Sequence, residues 1–351
     1  MFGILAAALV AASACGQSDD EAGNDASISV SSYTRVLRST NPITTSYAPL
    51  VNAIAVGESP RDLALNRATR ILFVTDFDEE TVSWVDIATR QVIATLAVGY
   101  YPAQMAVNPK TDTLYLITHE KGPRLIAIDT ETRTVTQRFT FDADSLTASP
   151  ASVSVDPDNN RLYVALEGRK SFLATIDTVT RKVIGTLPIP DSSGAMVADL
   201  DQRIVYVSSG DTIAVVDLAI NSITTTIPGT EDPGLLILDA AGHRLYVTDG
   251  HGKTVSVIDT VARKVIASIE FDRTVGALAL DGARHILYCA TEPVWKAPTD
   301  VVTAVDTRTN KISQTIPIDG NYLYGLLVDE PSNSVYVTVG TRNAVMAFPR
   351  I

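Results

Sequence analysis

The segment Leu245-Tyr246-Val247-Thr248-Asp249 contains a short pattern that the chain repeats seven times. Each copy has an apolar residue, an aromatic residue and a second apolar residue, followed by a small or apolar residue. The aromatic residues are 42, 48, 43, 40, 42 and 48 residues apart. A regular spacing of this length indicates that the chain is built from repeated structural units. The seven aromatic residues are Phe73, Tyr115, Tyr163, Tyr206, Tyr246, Tyr288 and Tyr336.

Two further positions recur in phase with these aromatic residues. An Asn or Asp stands seven residues before each aromatic residue. In six copies an Asp stands 11–18 residues after the aromatic residue. Such side chains bond to their own backbone in tight turns, so they mark turns between strands. Each repeat therefore contains four short β-branched runs separated by turns. This pattern predicts an all-β fold, a seven-bladed β-propeller with four antiparallel strands in each blade.

The two ends of the repeat region indicate how the ring closes. The last repeat supplies only three strands, near Leu326–Val328, Val335–Thr338 and Ala344–Phe348. The segment Val51–Val56, ahead of the first complete repeat, has the pattern of an outer strand. We therefore expect this N-terminal strand to complete the last blade, because an unpaired sheet edge is a template for aggregation.

The copy at residues 245–249, followed by Thr254-Val255-Ser256-Val257-Ile258-Asp259-Thr260, resembles the YVTN β-propeller repeat family, including YncE-like periplasmic proteins. The resemblance covers about residues 51–351. It implies the propeller fold, and relatives include surface-layer and envelope proteins, some of which bind single-stranded DNA. The wider seven-bladed group includes lactonases and the heavy chains of amine dehydrogenases, so the fold does not select a chemistry.

Residues 1–14 have the pattern of a signal peptide. They are almost wholly apolar or small, and they are too few to cross a bilayer as a helix, which needs about 20 residues. Ala12-Ser13-Ala14-Cys15 resembles the end of a bacterial lipoprotein signal, and this resemblance implies that Cys15 is acylated. An ordinary secretory signal with an incidental Cys15 is the alternative. Gly16, in place of the Asp that retains many lipoproteins in the inner membrane, favours the outer membrane.

The remainder of the N-terminal region predicts a tether. Residues 15–49 are rich in Ser, Thr, Asp, Asn and Ala, a composition that cannot bury enough apolar surface to fold. We therefore divide the chain into a signal peptide at 1–14, an acylated Cys15 with a flexible tether at 15–49, and a propeller at 50–351. This organisation predicts a protein of the bacterial cell envelope, facing the periplasm or the cell surface, that contacts the membrane only through its lipid.

Composition and motifs exclude several classes of function. The 28 basic and 40 acidic residues give a net charge of −12, which argues against nucleic acid as a partner. The chain has no GxSxG nucleophile motif and no CxxCH haem motif. Cys289 lies in an apolar strand pattern, so we expect a buried, inert thiol and no disulfide.

In a propeller of this type the loops between second and third strands share one face with the connections between blades, and this face usually holds the ligand. Two of these loops, Phe141–Pro150 and Thr291–Asp300, are enlarged. Packing between loops is the simpler interpretation of the aromatic residues on this face. The candidate ligand-binding residues are Tyr100, Tyr101, His119, Arg169, His251, Trp295 and Tyr322.

Metal binding is not favoured by the spacing of the candidate ligands. His119 and His251 belong to blades nearly opposite each other, so they cannot share one ion. Asp76, Asp78, Glu79 and Glu80 form the densest acidic loop; they carry oxygen ligands suited to Ca²⁺, but a solvated acidic rim is the favoured interpretation. We expect no catalytic residue, no metal and no cofactor.

The sequence therefore predicts a non-catalytic scaffold that binds a protein partner or a small ligand in the cell envelope. We expect this protein to be a monomer. One alternative is an enzyme, either a metal-dependent lactonase, with Glu58, Asp76 and Asp249 as acidic ligands, or a subunit of an electron-transfer dehydrogenase. A further alternative is binding of single-stranded nucleic acid.

Overall fold

The computed structural model describes residues 53–119, 124–139, 141, 149–192, 194–291 and 300–351. These residues form 28 β-strands in seven four-stranded antiparallel sheets. The first strands of the blades are β2 (Pro60–Asn66), β6 (Met105–Asn108), β10 (Ser149–Asp156), β14 (Met196–Asp199), β18 (Leu236–Asp239), β22 (Val275–Asp281) and β26 (Leu326–Asp329). The second strands are β3 (Ile71–Asp76), β7 (Thr113–Thr118), β11 (Arg161–Glu167), β15 (Ile204–Ser209), β19 (Arg244–Thr248), β23 (Ile286–Thr291) and β27 (Ser334–Val339).

The third and fourth strands complete the sheets. The third strands are β4 (Thr81–Asp86), β8 (Arg124–Asp129), β12 (Phe172–Asp177), β16 (Thr212–Asp217), β20 (Thr254–Asp259), β24 (Val301–Asp306) and β28 (Ala344–Pro349). The fourth strands are β5 (Gln91–Ala97), β9 (Thr134–Phe139), β13 (Lys182–Pro188), β17 (Ser222–Pro228), β21 (Lys264–Glu270), β25 (Lys311–Pro317) and, in blade 7, β1 (Ala53–Ala55). A 3₁₀ turn at Gly340–Arg342 precedes β28.

The blades form a closed ring, as the repeat pattern predicts. Each first strand contacts the first strand of the next blade, from β2 to β26 and back to β2. The last sheet has the order β1-β28-β27-β26, with Ile54 opposite Val345. The N-terminal strand therefore completes the last blade, and this prediction is confirmed. No helix in the described part of the chain is long and apolar enough to span a membrane.

The hydrophobic core lies between neighbouring blades. One cluster joins Tyr206 and Val215 of blade 4 to Leu245 and Val247 of blade 5. The aromatic residues of the repeat are buried in these layers, and burial of a large apolar side chain contributes about 1.5–3 kcal/mol. Cys289 lies in such a layer and is fully buried, as predicted.

The Asn and Asp residues of the repeat form the turns that the sequence predicts. Asn66 Oδ1 accepts hydrogen bonds from the backbone N–H groups of Ala68 and Thr69 at 3.0 and 3.3 Å. In the turns between third and fourth strands, an Asp has this role. Asp259 Oδ1, for example, accepts hydrogen bonds from the backbone N–H groups of Val261 and Ala262. Corresponding bonds are made by Asn108, Asp156, Asp199, Asp239 and Asp281, and by Asp86, Asp129, Asp177, Asp217 and Asp306.

A buried ion pair joins the last blade to the sixth. The guanidinium of Arg350 donates from Nε and Nη2 to the two carboxylate oxygens of Asp281, and the two side chains are 8% and 0% exposed. The backbone N–H of Ile351 donates to the hydroxyl of Tyr288 at 3.0 Å. The chain after β28 is therefore held against blade 6 by polar contacts.

Candidate functional site

The loops after the second strands adjoin the connections that lead into each blade. Phe77 N donates to Ser59 O at 3.1 Å, His119 N to Tyr100 O at 2.8 Å, and Gly340 N to Tyr322 O at 3.1 Å. These bonds join the two kinds of loop in blades 1, 2 and 7. We call the surface formed by both kinds of loop the loop face.

Five aromatic rings and one guanidinium form a continuous row across blades 2, 1 and 7 on the loop face. Starting at blade 2, the ring centroids of Tyr100 and Tyr101 are 6.3 Å apart, and Tyr101 stacks on Phe77 at 4.8 Å. The guanidinium carbon of Arg61 lies 3.6 Å from the Phe77 centroid and 4.7 Å from that of Tyr324. Tyr324 then stacks on Tyr322 at 6.0 Å with 13° between the ring planes. We call these six side chains the aromatic row.

Three tyrosines of the aromatic row are open to solvent. Tyr100, Tyr101 and Tyr322 are 51%, 47% and 45% exposed, whereas Arg61, Phe77 and Tyr324 are only partly exposed. Large aromatic side chains are usually covered, and those exposed together mark binding sites more often than those exposed singly. The row therefore has the composition of a contact surface, with a stacked centre and open ends.

The centre of the row depends on one position of the repeat that differs among the blades. Arg61 and Tyr324 each stand five residues before the Asn or Asp of the first turn, in blades 1 and 7. The other five blades have Ala103, Ala151, Gly194, Gly234 and Gly276 at this position. Only the two adjacent blades 7 and 1 thus place a large side chain there, which makes the loop face asymmetric.

Thr338 and Gly325 hold blades 7 and 1 in register below Arg61 and Tyr324. Thr338 Oγ1 accepts from Gly325 N at 2.7 Å and donates to Arg61 O at 3.3 Å. A Cβ atom on Gly325 would lie 2.2 Å from Arg61 O, so only glycine permits this approach. The same threonine of the repeat accepts from backbone N–H groups in blades 1 and 5, where Thr75 and Thr248 bond to Asp62 and Leu235.

His119 supports the Tyr100-Tyr101 turn. Its Nδ1 lies 3.0 Å from Tyr101 O, and Thr118 Oγ1 donates to Tyr100 O at 3.0 Å. Tyr101 and Tyr322 both have left-handed backbones, with φ of 53° and 65°. Because tyrosine rarely adopts this conformation, the surrounding bonds must hold these turns in place.

Two exposed carboxylates lie beside the row, and a third acidic side chain of the same loop is buried. Asp78 and Glu79 are exposed, and Glu79 Oε2 accepts from Glu58 N at 3.1 Å. Burial lowers the pKa of Arg61, while Tyr324 and Asp78 act to raise it. Arginine remains charged at neutral pH, so Arg61 and Asp78 act on each other as opposite charges.

Asp76 is not part of a solvated rim, which corrects the sequence-based interpretation of this loop. Its side chain is fully buried, and its Oδ2 accepts from Ser83 Oγ at 2.7 Å and Thr81 Oγ1 at 3.0 Å. Burial raises the pKa of Asp76 to about 6, opposed by these two hydrogen bonds and reinforced by Glu79. A Cβ atom on Gly57 would lie 2.6 Å from Asp76 Cγ, so the chain entering blade 1 packs directly on this carboxyl. Asp76 therefore has a structural role in the loop.

Exposed acidic side chains outnumber exposed basic ones in the described loops of this face. The exposed acidic residues are Glu58, Asp78, Glu79, Asp191, Asp211, Glu231, Asp232 and Asp272. The exposed basic residues are Arg169, Lys170, Lys253 and Arg342. A protein surface of this balance attracts cationic partners and repels polyanions.

The structure brings together some of the candidate residues and separates others. Tyr100, Tyr101 and Tyr322 lie in the aromatic row, and His119 lies beneath it. Arg169 and His251 belong to loops of blades 3 and 5 and take no part in the row. Trp295, with most of the enlarged loops (142–148 and 292–299), lies outside the described residues, as do Cys15 and the rest of residues 1–52.

Arg61, Phe77 and Tyr324, which connect the two ends of the row, are not among the residues predicted from the sequence. Arg61 and Tyr324 could be found by aligning the seven repeats, because the other five blades have only Ala or Gly at the equivalent position. Phe77 follows the buried end of β3 in a loop of charged residues, and its contacts with Arg61 and Tyr101 distinguish it.

The described residues contain no group of three or more His, Cys, Asp or Glu side chains placed to hold a metal ion. The lactonase alternative requires three acidic metal ligands, and the described structure does not bring these three carboxylates together as a metal-binding group. They are Glu58, Asp76 and Asp249. The carboxylate of Asp249 instead accepts from the backbone N–H of Lys253 at 2.9 Å, within its own loop.

Comparisons with known proteins agree on the fold. No protein-family model and no curated protein sequence matches the chain. A structure of Kuenenia stuttgartiensis hydrazine synthase superposes with a TM-score of 0.72 at 15% identity, covering 88% of this chain and 99% of that one. The β-propeller domain of Myceliophteria thermophila Cps50 (Swd1) gives a TM-score of 0.70 at 12% identity, covering 86% and 99%. At these identities the similarity shows the fold alone, and the chain is a seven-bladed β-propeller.

Proposed function

We propose that this protein is a non-catalytic binding propeller of the bacterial cell envelope, and that the aromatic row is its ligand-binding surface. The observation that carries the proposal is the continuity of the row, in which five rings and Arg61 lie within stacking distance across three blades. The ligand is a protein segment or a small molecule with a flat or apolar surface.

The geometry explains how such a surface would work. The partly buried centre of the row packs against the outer rings, and the closed ring of blades supports the loops. A binding surface that is ordered before contact loses little conformational entropy when the ligand arrives. Tyrosine also supplies a large contact area with only two side-chain torsions and a hydroxyl that can bond at the edge of the ligand.

The proposed cellular location is based on the N-terminal sequence. The apolar segment 1–14 and Cys15 favour a YVTN-type propeller that is acylated at Cys15 and held by the tether of residues 15–49 in the outer membrane. Replacement Cys15→Ser should release the protein into the soluble fraction of the envelope. Retention of the Cys15→Ser protein in the membrane would contradict the lipid anchor.

Thermal denaturation of the full chain in the presence of candidate ligands tests the binding site. A compound that binds only the native state raises the melting temperature. We expect such a compound to lose its effect on the Tyr101→Ala/Tyr322→Ala protein and to keep it on the Asp232→Ala protein. Asp232 occupies the same position of the repeat in blade 5 and has the same left-handed backbone, so it is a matched control. A ligand whose effect is insensitive to the two tyrosines would place binding elsewhere.

A further inference from the structure

We infer that the ligand of the aromatic row is a basic, extended protein segment whose arginine side chains stack on the exposed tyrosines. This inference rests on the proposed function, because it names the class of partner for the same surface. Three features support it: the guanidinium already present in the row, the carboxylates beside the row and the charge of the loop face.

Arg61 shows that the row accepts a guanidinium between two rings. Its guanidinium carbon lies 3.6 Å from one ring centroid and 4.7 Å from the other, in the range of a favourable cation–π contact. Tyr101 and Tyr322 extend the two sides of this arrangement, and each remains about half exposed. An incoming arginine that stacks on Tyr101 or Tyr322 would therefore add a second guanidinium–ring contact to the row.

The carboxylates beside the row favour a cation and disfavour an anion. Glu58, Asp78 and Glu79 are exposed next to Arg61 and Phe77, and they outnumber the one guanidinium of the row. Arginine presents a planar group that pairs with carboxylates in two-point contacts and stacks on rings, whereas lysine presents a compact charge without a plane. The arrangement thus distinguishes arginine from lysine.

The loop face beyond the row agrees with a longer basic segment. Its exposed carboxylates continue through Asp191, Asp211, Glu231 and Asp232 in the blades on the far side of the ring. A negative surface of this extent increases the association rate of a cationic partner and excludes nucleic acid by repulsion. Several arginine residues in one segment would engage the row and the rim together.

Fluorescence anisotropy with two labelled peptides, tetra-arginine and tetra-lysine, tests the inference on the purified full chain. We expect tetra-arginine to bind more tightly than tetra-lysine. Tyr101→Leu and Tyr322→Leu should each weaken tetra-arginine binding roughly two- to fivefold, because each removes one cation–π contact at an exposed site. They should change tetra-lysine binding less.

Two variants of equal charge provide the control. Glu58→Gln/Asp78→Asn removes two carboxylates beside the row, and Asp211→Asn/Glu231→Gln removes two from the far side of the same face. We expect the first pair to weaken tetra-arginine binding more than the second. Absence of tetra-arginine binding, equal affinity for the two peptides, or an equal effect of the two double variants would overturn the inference.

A decathymidylate probe separates failure of the inference from failure of the proposed function. If the oligonucleotide binds and the binding depends on Tyr101 and Tyr322, the row is the ligand site but its ligand is not an arginine segment. If tetra-arginine binds with equal affinity to the wild type and to the Tyr101→Leu and Tyr322→Leu variants, neither the inference nor the proposed site is supported.

Discussion

Arg61 and Tyr324 occupy the same position of the repeat in two adjacent blades, and the guanidinium carbon of one lies 4.7 Å from the ring centroid of the other. The other blades have Ala or Gly at this position. The contact joins blade 1, near the N-terminal side of the ring, to blade 7, which the N-terminal strand completes. The centre of the aromatic row therefore exists only when the ring is closed.

The close approach of blades 7 and 1 makes Gly325 sensitive to substitution. Gly325→Ala would place a Cβ atom 2.2 Å from Arg61 O, so the two blades must separate. Overpacking of this kind costs about 1–3 kcal/mol, which urea denaturation should detect as a lower midpoint. Gly282→Ala is the matched control, because a Cβ at Gly282 meets no atom within 4 Å. Equal midpoints for the two variants would show that the blades are not in contact at Gly325.

Thr338 should stabilise the same junction through its hydroxyl. Thr338→Val removes the acceptor for Gly325 N and leaves that buried N–H without its partner, at a cost of about 1–3 kcal/mol in the free energy of unfolding. Thr338→Ser retains the hydroxyl and should lose much less. If the Thr338→Val and Thr338→Ser variants unfold at the same urea concentration, the hydroxyl contributes no more to stability than the methyl group, and the role assigned to this hydrogen bond is contradicted.

Breaking the ion pair between Arg350 and Asp281 should lower the free energy of unfolding more than breaking the pair between Arg308 and Asp306. Arg350→Met leaves Asp281 as a buried carboxylate without its guanidinium, which costs about 3–5 kcal/mol. Arg308→Met breaks the pair with Asp306, where the Arg308 side chain is 65% exposed, and should lower stability far less because solvent screens the two charges. Chemical denaturation of both variants measures the difference, and similar losses would mean that the Arg350 pair is solvated.

Asp62 should make the protein less stable at neutral than at mildly acidic pH. Its Oδ2 accepts from Met105 N at 2.7 Å, yet burial raises its pKa to about 6 against the effect of that bond. A pKa above the usual value of 3.8 means that ionisation disfavours the folded state. The stabilising contribution is complete below about pH 4 and is lost as the pH rises through 6.

The variant Asp62→Asn tests this dependence. It cannot ionise, and its amide oxygen can still accept from Met105 N. We expect the melting temperature of Asp62→Asn, relative to that of the wild type, to increase as the pH rises from 4 to 7. The variant Asp272→Asn, at an exposed carboxylate, is the control and should show no such change. A difference between wild type and Asp62→Asn that is constant over this range would contradict the raised pKa.

The fold could be predicted because its determinants are local and repeated. The turn residues from Asn66 to Asp306 accept hydrogen bonds from their own turn backbone, so the sequence spacing is enough to locate the strands. Closure by residues 53–55 followed from the missing strand of the last repeat. None of these inferences required knowledge of contacts between distant residues.

The site could be predicted only in part, because it is made by contacts between blades. Tyr100, Tyr101 and Tyr322 were recognisable as aromatic residues in loops, but the order of the row depends on Arg61 and Phe77. Asp76 looked like a surface carboxylate because its neighbours are charged, although Ser83 and Gly57 enclose it. Loop composition does not reveal which side chain turns inward.

Site-specific photo-crosslinking of the full chain in the cells that produce it tests the central claim most directly. A photoreactive phenylalanine analogue would replace Tyr101, Tyr322 or Asp232, which share one position of the repeat in blades 2, 7 and 5. If the aromatic row is the binding surface, Tyr101 and Tyr322 should label the same partner at an arginine-containing segment, and Asp232 should label it little. Equal labelling from all three positions, or labelling from Asp232 alone, would contradict the account.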